Sequence, residues 1–63
     1  MNGIFETTSR RLENYFYQNG IIAKRYYKND SYETVWVYDR TPWLEDVLEM
    51  YGRMLQMQKR RGV

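Results

Sequence analysis

Neither cysteine nor histidine occurs among these 63 residues, and in so short a chain that absence is the tightest constraint on folding. Domains of this size usually supplement a small core with disulfides or a structural metal. Without thiolate or imidazole, the disulfide staple and the common zinc site are both excluded. The fold must rest on apolar packing and backbone hydrogen bonds. A globule of 7.8 kDa exposes about 4,400 Å² and buries roughly 60% of its unfolded surface. That supports one thin core, so residues 1–63 read as a single small domain.

The chain meets this demand with large rings. Aromatics make up 17% of it, including seven tyrosines and two tryptophans, and each ring buries much area per residue. Such a composition is far from that of disordered segments. Area gain and chain entropy nearly cancel at this length, which makes self-association a natural supplement.

The same absences narrow the chemistry. Histidine is the usual acid/base at neutral pH, so a catalytic set would have to come from Asp, Glu, Lys, Tyr or Ser. Glu6, Glu13, Glu33, Asp39, Asp46 and Glu49 show no paired spacing of that kind. No P-loop, dinucleotide fingerprint or calcium loop is present. The expectation is a non-enzymatic protein with no cofactor, metal or small-molecule substrate. The opening Met1-Asn2-Gly3-Ile4-Phe5-Glu6 has neither a basic n-region nor an apolar h-region. Apolar runs are far too short to span a membrane. A cytoplasmic location without membrane contact is the corresponding expectation.

Punctuation along the chain sets the elements. Thr7-Thr8-Ser9 suits a helix N-cap, and Leu12, Tyr15, Phe16 and Asn19 follow at helical spacing. Gly20 fits the left-handed position just past the helix end. This predicts a helix over 8–18. Residues 21–28 (Ile-Ile-Ala-Lys-Arg-Tyr-Tyr-Lys) lack a helical period and read as a strand. Lys28-Asn29-Asp30-Ser31 is a turn cluster, and 32–38 read as a second strand, giving an antiparallel hairpin. Thr34, Trp36 and Tyr38 lie on one face of that strand, and Glu33, Val35 and Val37 on the other. Apolar residues on both faces predict a sheet covered on both sides. Thr41-Pro42 opens a second helix as N-cap and first residue, and Gly62 is expected to end it. Ile4-Phe5 is a candidate third strand. The fold class is α+β: a two-layer domain, order (β)αββα, with a small antiparallel sheet packed against two helices.

This pattern resembles a family of small uncharacterised bacterial proteins associated with phages and mobile elements. The matching residues are Thr7-Thr8, Leu12, Gly20, Trp36-Val37-Tyr38, Glu45-Asp46 and Tyr51, over about residues 4–52. The resemblance implies the same helix, hairpin, helix arrangement and no particular activity. The Met-rich basic end after Gly52 has no counterpart in that pattern.

Two surfaces stand out as functional candidates. In the second helix Leu44, Val47, Leu48, Tyr51 and Leu55 form a core stripe. Beside it runs a second apolar stripe of Trp43, Val47, Met50, Met54 and Met57. Methionine adapts to partners and tryptophan is enriched at contacts, so this stripe is the expected protein interface. A homodimer centred near Met54 or a foreign protein partner would use it. The alternative is a DNA- or RNA-binding accessory protein. Its contacts would be Lys24, Arg25, Tyr27 and Lys28 of the basic-aromatic strand and Lys59, Arg60 and Arg61 of the basic tail. The net charge of +2 permits an anionic partner without requiring one.

Overall fold

Strand β3 (Thr34–Asp39) organises the molecule, pairing antiparallel with β1 (Ile4–Thr7) on one side and β2 (Arg25–Lys28) on the other. The computed structural model describes residues 3–61, with side chains through Gln58. Two helices complete it, α1 (Arg10–Gln18) and α2 (Pro42–Arg61), in the order β1, α1, β2, β3, α2. The protein is thus a small α+β fold with a three-stranded antiparallel sheet. The Ile4-Phe5 segment supplies the third strand, with Phe5 opposite Tyr38 and Thr7 opposite Trp36.

Each element follows from local chemistry. Ser9 Oγ accepts the amide of Leu12 at 3.1 Å and caps α1. At the other end Gly20 takes φ 80°, which lets the Ile21 amide reach back to the Phe16 carbonyl at 2.8 Å. This is the six-to-one bond of a Schellman cap. It also explains why β2 starts at Arg25, four residues later than the expected strand. The Ile21 amide is committed to closing α1, and Ile21 and Ala23 pack against the core as connectors. In the hairpin Asn29 Oδ1 accepts the amides of Ser31 and Glu33 at 2.9 and 3.0 Å. Tyr32 completes the turn at φ 62°, an uncommon conformation for a non-glycine residue. Thr41 Oγ1 accepts the Leu44 amide at 3.1 Å and starts α2 as expected.

The core lies between the helices and one sheet face. Leu12 and Phe16 of α1, Tyr38 of β3, and Leu44 and Val47 of α2 are buried together. Phe5, Trp36, Leu48 and Tyr51 pack around them, half-buried. Phe16 and Tyr38 meet edge to face with centroids 4.8 Å apart, and Phe5 approaches Phe16 in the same manner at 5.9 Å. Such ring pairs contribute about 0.5–1.5 kcal/mol beyond their buried area. Three aromatic residues therefore tie β1, α1 and β3 together.

The opposite sheet face differs from expectation: no helix packs on it, yet Val35 and Val37 are buried. Polar side chains of the flanking strands shield them. The register places Glu6 and Arg25 on either side of Val37, and Tyr27 beside Val35. The Tyr27 hydroxyl donates to Glu6 Oε1 at 2.9 Å, spanning the central strand, and Lys24 Nζ pairs with Asp39 at 2.9 Å.

Two consequences are measurable. Gly52 sits inside α2, where a Cβ would meet nothing within 4 Å. Gly52→Ala should raise stability by about 1 kcal/mol, visible as a higher melting temperature. The Tyr38 hydroxyl is buried and finds no hydrogen-bond partner among the described residues. Burial, with the nearby Glu13 charge adding to it, pushes the phenol up to about 12. Unfolded tyrosine ionises near 10, so between about pH 10 and 12 the unfolded chain releases a proton that the native one keeps, and stability falls. Tyr38→Phe should hold native stability near neutral pH, or raise it by about 1 kcal/mol by removing an unsatisfied hydroxyl. It should also flatten the alkaline decline in urea titrations across that range.

Candidate interaction surface

The two helices run antiparallel, as three contacts along their length establish. The Trp43 indole donates to the Asn19 carbonyl at 2.9 Å, Tyr15 and Tyr51 rings lie 5.2 Å apart, and Arg11 Nη2 donates to Gln58 Oε1 at 3.2 Å. The beginning of α2 thus meets the end of α1, and the beginning of α1 meets the last turns of α2. Ion pairs Glu49–Arg53 at 2.7 Å and Arg40–Glu45 lie on the surface around α2.

Burial along α2 is uneven. Leu44 and Val47 are fully enclosed, but from Leu48 to Gln58 no residue is. That stretch nonetheless carries Leu48, Met50, Tyr51, Met54, Leu55 and Met57. Of the expected interface stripe, Trp43 is 49% exposed, Met50 39% and Met57 63%. Met54 is half-buried. At about 100° per residue these four share one flank of the helix. Val47 does not belong with them: it is 0% exposed and faces inward with Leu44. The correction follows from geometry, since Val47 lies between the two stripes and the core claims it. Trp43 is also partly committed, because its indole N–H anchors α2 to the end of α1. Tyr17 and Ile22, both exposed, lie within three residues of Asn19, so apolar surface extends around that anchor.

The basic-aromatic strand is divided by its own geometry. Strand side chains alternate between faces, so Arg25 and Tyr27 share the open face with Val35 and Val37, while Tyr26 and Lys28 take the helix side. Lys24 is paired with Asp39, Lys28 Nζ donates to Thr34 Oγ1 at 2.7 Å, and Tyr27 is bonded to Glu6. That last hydrogen bond, with the Glu6 charge, raises the Tyr27 phenol above its ordinary value. Lys59, Arg60 and Arg61 continue α2, but their side chains lie outside the described residues, as does Gly62.

Two depressions mark the surface. One, of about 480 Å³, lies on the open sheet face against Glu6, Thr7, Thr8, Tyr27, Asn29 and Val35. The other, of about 540 Å³, lies beside α2 against Arg11, Gly52, Leu55, Gln56 and Gln58. Sequence reading did not single out the second, because it depends on Arg11 of α1 reaching α2. Gly52 was its one visible sign, as a glycine inside a periodic helix. Among the described residues no group of three or more acidic or metal-ligating side chains is placed to hold a metal. None of the described helices is long and apolar enough to cross a membrane. No family model, curated protein or solved structure matches the chain.

Proposed function

We propose that this protein is a non-enzymatic interaction module that forms a homodimer through the Trp43, Met50, Met54 and Met57 flank of α2. The observation that carries the reading is the exposure of Trp43, Met50 and Met57 on one flank of α2, an apolar flank that nothing covers fully among the described residues. Methionines repack readily against another apolar surface. A two-fold axis would bury the same patch on both copies, as in most homo-oligomers. A protein of a host or of a mobile element would belong to the same class of partner, in line with the family resemblance noted above.

Met57 is the most informative position to change. Met54→Asp would place a charge in a half-buried site and weaken both monomer and dimer, whereas Met57 is mostly exposed. Met57→Glu should leave the melting of the monomer unchanged and put an unpaired charge into the contact. Light scattering at about 100 μM, far above the ~1 μM constant of a modest interface, should find a dimer for the wild type and a monomer for the variant. A wild-type monomer at that concentration would reject self-association.

A further inference from the structure

The apolar flank of α2 has a nearly symmetric middle. Trp43 and Met57 stand seven residues before and after Met50, while Asp46 stands four before it and Arg53 three after. At about 100° per residue, Asp46 and Arg53 lie about 20° apart around the helix, beside Met57 on the side away from Met54. Both are exposed. The outer border of the flank thus carries one acid and one base, placed almost evenly about its midpoint. The inner border is different: Val47 and Tyr51 turn to the core there, and Trp43 is bonded to the end of α1.

Neither charge is fully engaged within the chain. Among the described residues no cation lies within salt-bridge distance of Asp46. Arg53 reaches Glu49 through Nη2, and a guanidinium has five N–H donors, which leaves others for a second carboxylate. Glu45 is about 100° away from Asp46 around the helix and is already paired with Arg40.

We infer that two copies pack antiparallel, α2 against α2, with the two-fold axis at Met50 and Asp46 of each protomer paired with Arg53 of the partner subunit. This register rests on the homodimer proposed above and gives it a direction. Met50 then meets its own copy, one turn earlier than the expected centre at Met54. Each Trp43 ring lies against Met57 of the partner subunit, and two ion pairs close the outer border. A parallel pair would set every residue level with its own copy. Asp46 and Arg53 are about 10 Å apart along the axis, so in that arrangement they could not meet, and a carboxylate would lose water without gaining a partner. A foreign protein gives no reason for an acid and a base to stand evenly about the middle of the flank. A two-fold contact does, because it uses one patch twice. Such charge pairs fix orientation more than they add affinity.

The chain contains no cysteine, so single cysteines report the register directly. Under mild oxidation Met50→Cys should form a disulfide-linked dimer, because it faces its own copy. Met57→Cys should stay unlinked, since its two copies would be about 20 Å apart, far beyond disulfide reach. Charge reversal gives a second readout. Asp46→Arg and Arg53→Asp should each raise the dimer dissociation constant at least ~10-fold in light scattering, with circular dichroism showing that both fold. An equimolar mixture of the two should recover the dimer, because both ion pairs re-form with their signs exchanged. A monomeric wild type would reject the homodimer itself. With a dimeric wild type, three results would overturn the register alone: no linkage of Met50→Cys, equal linkage of Met57→Cys, or a mixture that associates no better than either charge variant by itself.

Discussion

The packing of Tyr38 against Phe16 is the interaction on which the rest of the structure depends. Tyr38 belongs to the central strand and Phe16 to α1, and both are essentially inaccessible to water. Their edge-to-face contact fixes α1 on the sheet, and Phe5 closes the cluster from β1. Without a disulfide or metal, a chain of this size relies on such packing to hold its first helix to the sheet. The ring cluster does so at the cost of one buried hydroxyl, that of Tyr38, without a partner among the described residues.

From that centre the two sheet faces diverge. The helix side is an ordinary apolar core. The open side keeps Val35 and Val37 dry with polar side chains alone. Glu6 and Tyr27 reach toward each other across β3, and Lys24 pairs with Asp39. Exposed pairs of this kind contribute little stability individually. Their role here is steric, because long side chains can cover apolar surface while keeping their polar ends in water. Residues that look in the sequence like a binding strand are thereby engaged in covering the protein's own sheet.

The helix layer has the complementary property. Only the first turns of α2 are enclosed, and the remainder presents an apolar flank on each side of its contact with α1. One flank is rich in flexible methionine and the other is notched at Gly52 beside Arg11. The thin core of so small a chain cannot itself cover so long an amphipathic helix, which leaves much of it open.

The amino-acid sequence by itself determined the elements and their order. The Ser9 and Thr41 caps, the Gly20 stop, the hairpin turn and the helical spacing of Leu12-Phe16 and Leu44-Val47-Leu48 are local signals. Each acts over a few residues through hydrogen bonds or side-chain period. They also placed Leu12, Phe16, Trp36, Leu44, Leu48 and Tyr51 in one core. What only the tertiary structure decided depends on contacts between distant residues. The Ile21 amide was taken by α1, which shortened β2. Val47, equally at home in two stripes on a helical wheel, was drawn inward. The basic strand was split between two faces, and Lys24 and Lys28 found partners in β3. Arg11 crossed to Gln58, 47 residues away in the chain, and tied the start of α1 to the last turns of α2. Helical and strand periods say which residues share a face; only packing says which face finds a neighbour.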